Sequence, residues 1–143
     1  MIFTDGALKD PSPVGGGSVP VSVGNAVSLA NRTLATIYAG QAVMLHISGT
    51  GVVLWDGTRD LIGLMAADTL PATAGDVRIV GALAITDWTH ATGAATLPQG
   101  MWFADPANPG SLTQIPPVTI IQNAGNSSNP TTLDVMVTPS ILL

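Results

Sequence analysis

The chain has 143 residues, of which 9% are charged, with a net charge of −5 and no cysteine. That length suits one domain with a real core, and the scarcity of Lys and Arg argues against nucleic acid, whose phosphates need cationic partners. Without cysteine there is no disulfide, thiolate nucleophile or zinc–thiolate site.

The kind of charge matters as much as its amount. All nine acids are Asp, Glu is absent and Lys9 is the single lysine. Asp favours turns and caps, whereas Glu and Lys populate solvated helix faces. The composition therefore predicts strands joined by Asp-bearing turns. A mean hydropathy of +0.44 is high for a free monomer, so the surface is expected to be covered by partners or by lipid. The uncharged run from Thr33 to Trp55 has the length of a membrane span, but Gly40, Gln41, His46, Ser48 and Gly49 interrupt it. Its apolar residues also alternate as half-buried strands do. The expectation is packing against identical copies or a larger assembly, with no membrane partner.

Residues 1–24 read as an extended N-terminal arm. Its opening, "MIFTDGALKDP", has acids and a proline where the apolar region of a signal peptide would stand. Pro11 and Pro13 stiffen the arm and Gly15 to Gly17 loosen it. Val19, Val21 and Val23 then alternate with Ser18, Pro20 and Ser22. Pro20 cannot donate to a ladder, so this segment reads as an edge strand or polyproline-like. It is either a docking device that works by strand addition or a terminus without fixed order.

Residues 25–143 read as an all-β domain, a single β-barrel or jelly-roll-like sandwich. In "AVMLHIS", Val43, Leu45 and Ile47 share one face and Met44, His46 and Ser48 the other. "GVVLWDGTRD" is an apolar run closed by Asp56-Gly57, a hairpin signal. "LIGLMAADTLPATAGD" admits a short helix from Leu61 to Ala67 or a strand from Leu61 to Met65; the strand is preferred because Gly63 weakens a helix. "DVRIVGALAI" places Val77, Ile79, Leu83 and Ile85 at one parity. "MWF", "SLTQI", "VTIIQ" and "TLDVMV" follow as short runs, the last with Leu133, Val135 and Val137 alternating against Asp134, Met136 and Thr138. Short runs punctuated by Gly, Pro and Asn are the mark of a sandwich or barrel.

No stretch carries a catalytic signature. His46 lies opposite three aliphatics and reads as a surface or interface histidine with a water or backbone partner. In "TDWTHATG" a strand would put Trp88 and His90 on one face and Asp87 on the other, which makes a poor Asp–His pair; a turn or loop around Trp88 is the expected structure. Asp56 and Asp60 lack the remaining ligands and terminal Glu of a calcium loop. "VGGGSVP" lacks the lysine of a phosphate-binding loop, and no serine sits in a nucleophile elbow. The expectation is no enzyme, no catalytic residue, no cofactor and no metal.

"WFADPANPGSLTQIPP" is more informative. Asp105-Pro106 and Asn108-Pro109-Gly110 form turns, with proline presetting one central position and Gly supplying positive φ. Proline-restricted segments lose little entropy on ordering. Adjacent Trp102 and Phe103 in a strand send one ring inward and one outward, where an outward ring beside a rigid loop can anchor an interface, or else both rings lie inside the fold or under the loop.

The succession "LWDGTRDLIGLMAAD", "AGDVRIVGALAI", "LPQGMWFADPANPGSLTQIPP" and "TTLDVMV" resembles the small β-rich virion proteins of tailed bacteriophages, namely head decoration (cement) proteins and head-fibre or tail-fibre modules. The likeness is sharpest from Gly100 to Pro117 and runs over roughly residues 50 to 137. It implies a barrel or jelly-roll-like subunit, a homo-oligomer and usually a trimer, bound to the major capsid protein on the outer surface of the virion after synthesis in the bacterial cytoplasm. The expected function is shell stabilisation. The alternative is a receptor- or glycan-binding fibre module with Tyr38, Trp88 and Trp102 as contacts; a small hydrolase is the third reading. The residues expected at a capsid or subunit interface are Val19, Val21, Val23, Trp88, Trp102, Phe103, Pro106 and Pro109.

Overall fold

A computed structural model of the chain describes residues 24–138 and 141–142. It contains strands β1 (Gly24–Ala30), β2 (Ala42–Leu45), β3 (Val52–Leu54), β4 (Leu61–Met65) and β5 (Ala74–Ala84), then a helical turn α1 (Thr89–Thr92). There follow β6 (Gly100–Ala104), β7 (Leu112–Thr113), β8 (Ile120–Ile121), β9 (Asn123–Ser127), β10 (Thr132–Met136) and β11 (Ile141–Leu142). The fold is all-β. Eight strands follow the order β3-β2-β4-β5-β10-β9-β6-β7 in one curled antiparallel half-barrel, β1 joins as a side branch on β5, and β8 pairs with β11 separately.

The long strand β5 organises the sheet. Val77 and Arg78 pair with β1 and also with β4, while Val80 and Gly81 pair with β1 and also with β10. A strand has two edges, so β4 and β10 must occupy successive stretches of the same edge, opposite β1. The sheet forks there. At the fork Asn25 faces Val80 and Ala26 faces Arg78, which leaves Ile79 as the extra residue of a bulge. A bulge reverses the facing of the side chains that follow. Val77 accordingly packs with Ile37, Val43, Val52 and Met65, whereas Leu83 belongs to the larger cluster between the two halves. The expected single face for Val77, Ile79, Leu83 and Ile85 is thereby corrected.

The larger cluster joins Ala42, Met44, Trp55, Leu61 and Leu64 of one half to Leu83, Trp88, Trp102, Ala104, Leu112, Leu133 and Val135 of the other. Strand β2 is buried on both faces: Val43 faces the smaller cluster while Ala42 and Met44 face the larger. The expected Val43/Leu45/Ile47 face therefore fails after its first member, because the strand ends at Leu45 and Ile47 lies exposed in the turn to β3. Strand β10 keeps the expected alternation, with Leu133 and Val135 buried and Asp134 and Met136 exposed.

The Asp56-Gly57 hairpin is also corrected. Asp56 does cap a turn, accepting from the backbone N–H and hydroxyl of Thr58. Strands β3 and β4, however, flank β2 rather than pairing with each other. The hairpin partner of β3 is β2, across the tight turn in which His46 N–H donates to Gly51 O. Leu61–Met65 is a strand, as preferred, and among the described residues no helix is long and apolar enough to cross a membrane.

Candidate functional site

The proline-rich loop between β6 and β7 is built from interlocking turns. Asp105 accepts through its carboxylate from the N–H of Ala107 and the side-chain amide of Asn108, both at 3.0 Å. Asn108 O accepts from Ser111 N–H at 2.9 Å, with Pro109 and Gly110 at the central positions and Gly110 at φ 82°. That is the pattern of a type II turn. Gly110 N–H donates to Trp55 O at 3.0 Å, and Gly110 O accepts from Ala42 N–H at 2.9 Å. The loop leading into the last strand of the curled sheet is thus bolted to the β2–β3 pair at its first edge. A Cβ at Gly110 would stand 2.7 Å from Leu54 Cδ2, so the close approach depends on glycine. The stiffness of the loop is mechanical.

Beside this loop lies a cleft of about 550 Å³ formed by Pro106, Ala107, Ile115, Pro116 and Val118, with Thr113 and Thr119 at its margin. Ile115 and Val118 are 78% and 85% exposed. Its one carboxylate, Asp105, is already engaged within the loop. The cleft is an apolar surface with no evident reactive group.

Most of the anticipated aromatic contacts lie elsewhere. Trp88 and Trp102 are core residues at 0% and 5% exposure, which corrects their assignment to an exposed interface. Their indole N–H groups donate to Thr131 O at 3.0 Å and Pro98 O at 3.3 Å, so burial leaves neither unsatisfied. Trp88 is drawn inward because Gly40 lets its ring approach; a Cβ there would sit 2.8 Å from Trp88 Cε3. Around Trp88, where a turn or loop was expected, Thr89–Thr92 forms a single helical turn. Phe103 and Pro106 are half-buried and Pro109 is exposed, so these three remain at the surface around the loop. Val19, Val21 and Val23 lie outside the described residues.

The polar residues serve turns. Asp87 accepts from the Thr89 hydroxyl and N–H, and the hydroxyl bond, ahead of the N–H and the nearby His90, holds its carboxyl below the ordinary range. His90 does not face that carboxylate as a catalytic pair; its ring stacks on Tyr38 with centroids 3.6 Å apart and planes 5° apart. Nothing in the spacing of residues 38 and 90 foretold that stack. His46 Nδ1 accepts from Ser48 N–H at 3.1 Å within its own turn. Asp56 is held below the ordinary range mainly by the Thr58 hydroxyl, with the Thr58 N–H and Arg59 adding to it. Among the described residues no three His or Asp side chains group as metal ligands.

No family model matches this chain, and neither a curated protein nor a solved structure shows detectable similarity to it. The arrangement must be read from its own geometry.

A further feature is the outward face of β5, β10, β9 and β6. Cross-strand partners share a face, and pairing aligns Met101, Asn126, Asp134 and Ala82 in one row, with Met136 and Val80 in the next. Met101, Met136 and Val80 are 42%, 54% and 40% exposed, and Asp134 is the only charge in these two rows. Sequence reasoning missed this face because β9, "NAGNS", has none of the aliphatic alternation that marks a strand. Gly125 permits it: a Cβ there would meet Asp134 O at 2.3 Å.

Proposed function

We propose that this protein is a non-enzymatic structural module that acts by being packed into an assembly, as a decoration protein that binds the outer surface of a bacteriophage capsid as a homo-oligomer. The observation that carries the reading is the apolar outward face of β5, β10, β9 and β6, with Met101, Met136 and Val80 exposed around a single carboxylate. Exposed apolar side chains such as these are stabilised when a partner removes them from water, at roughly 25 cal/mol per Å². The virion context comes from the resemblance centred on Gly100 to Pro117. A ligand that binds only the assembled shell stabilises it by mass action, repeated at every site.

The glycan-binding alternative has less support. Two of its three aromatic contacts, Trp88 and Trp102, are buried, and one face of Tyr38 is covered by His90. The test is a Met101→Asp/Met136→Asp variant beside the unaltered protein. The unaltered protein should run as an oligomer, a trimer, in light scattering and raise the rupture temperature of undecorated phage heads. The variant should fold, run as a monomer and leave rupture unchanged. Equal rupture temperatures with and without the unaltered protein would overturn the capsid role, and an unaltered protein that stays monomeric would overturn the oligomer.

A further inference from the structure

Among the described residues, Leu34 is the most exposed large apolar side chain, at 101%, and the loop that carries it is firmly fastened. Asn31, buried at the base of that loop, donates its side-chain amide to Ala35 O and Thr69 O, both at 2.8 Å, and accepts from Thr33 N–H at 2.8 Å. The loop is pinned at both ends, by Arg32 N–H to Val52 O at 2.9 Å and by the reciprocal bonds between Ile37 and Thr69. The turn after Thr69, where Ala72 N–H donates to Asn31 O, holds Leu70 out at 62% exposure. A lone exposed leucine is ordinary. Two of them on turns tied to one buried asparagine form a fixed apolar knob at one end of the molecule.

A matching hole is the apolar cleft of Pro106, Ala107, Ile115, Pro116 and Val118. Knob and cleft stand at opposite ends of β3. The knob's loop joins at Val52, its first residue, whereas Pro106 lies against Gly57, beyond its last, with Pro106 Cβ 3.2 Å from where a Cβ of residue 57 would stand. Pinned there, the loop does not reach its own cleft. We infer that the Leu34 loop of one copy seats in the Pro106–Val118 cleft of a second copy, head to tail. The charges agree with this pairing. With histidine neutral, Arg32 is the only charge in residues 24–55 and Asp105 the only one in residues 88–133. Among the described residues the Arg32 side chain bonds only to Thr50, and the Asp105 carboxylate only to Ala107 and Asn108, so neither charge meets its opposite. Seating the loop in the cleft brings the two together. Because the two surfaces differ, the contact is heterologous, and it closes a ring when the rotation between copies permits. The inference rests on the homo-oligomer of the proposed function and adds to it a contact separate from the Met101/Met136 face.

The sequence has no cysteine, so full-length Leu34→Cys and Val118→Cys variants can be joined selectively by a short bismaleimide. Mixed, they should give a dimer band on a denaturing gel that neither variant gives alone. Dimers from Leu34→Cys alone would overturn the inference by setting knob against knob, and absence of the mixed band would overturn it as well. Light scattering of the unaltered protein at the same concentration separates the causes. An oligomer without the mixed link sinks this contact and leaves the homo-oligomer standing, whereas a monomer sinks both. Leu34→Ala gives an independent readout. It should leave the urea midpoint of the dissociated protein unchanged, since Leu34 is fully exposed within one copy, while raising the concentration of half-dissociation about tenfold. An unchanged half-dissociation concentration would refute the seating of Leu34.

Discussion

Replacing Gly110 by alanine tests whether the loop bolt holds the curled sheet together. Gly110 sits at φ 82°, and Gly49 at φ 81° provides a matched control with nothing within 4 Å of its Cβ position. Both substitutions incur the left-handed backbone penalty, about 1–2 kcal/mol, offset by about 0.4–1 kcal/mol from stiffening the unfolded chain. Those effects cancel in the comparison. At Gly110 the new methyl also meets Leu54 Cδ2 at 2.7 Å and Gln41 Nε2 at 3.3 Å. The backbone cannot retreat without losing its bonds to Trp55 and Ala42. Overpacking of this sort costs about 1–3 kcal/mol, so Gly110→Ala should be less stable than Gly49→Ala by about that amount. Urea unfolding followed by Trp fluorescence reads the difference as a shift in midpoint at constant slope. Equal midpoints for the two variants would refute the claim that Gly110 is a rigid closure point.

Trp102→Ala should destabilise the fold by about 3–5 kcal/mol through cavity formation, measured by thermal unfolding, because its ring is buried rather than presented to a ligand. Acid stability follows from Asp56 and Asp87, whose carboxyls both lie below the ordinary value. A depressed folded-state value means that the unfolded chain binds more protons in the window beneath about pH 3.9. The contribution is therefore fully present above that pH and is lost as pH falls through the folded value. Asp56→Asn should lower the urea midpoint at pH 7 and flatten its further decline toward pH 3; an unchanged acid slope would exclude Asp56 as a source.

How much was legible in the sequence depended on how local each cause was. The turn at Asn108-Pro109-Gly110 was readable because proline and glycine restrict the backbone before any tertiary contact forms. The alternation of Leu133 and Val135 against Asp134 and Met136 was readable because strand periodicity follows from one covalent geometry. By contrast, the bulge at Ile79 comes from the pairing of β1 with β5, and it reverses which core the later residues enter. Strand β9 forms from a sequence of low strand propensity because two neighbours supply its hydrogen bonds and Gly125 lets one of them come close.

The candidate surface divides in the same way. Phe103, Pro106 and Pro109 were identified from their neighbours in the chain and remain at the surface. Trp88 and Trp102 were misplaced because their spacing cannot say whether a cavity awaits each ring. The outward face bearing Met101, Met136 and Val80 is assembled from strands far apart in the chain. By itself, then, the sequence determined the all-β class, the turn chemistry and the shortage of charge, since these follow from residue type and near neighbours. Only the tertiary structure decided which tryptophans are core, where the sheet forks and which apolar residues share a face, because each depends on pairing between distant segments.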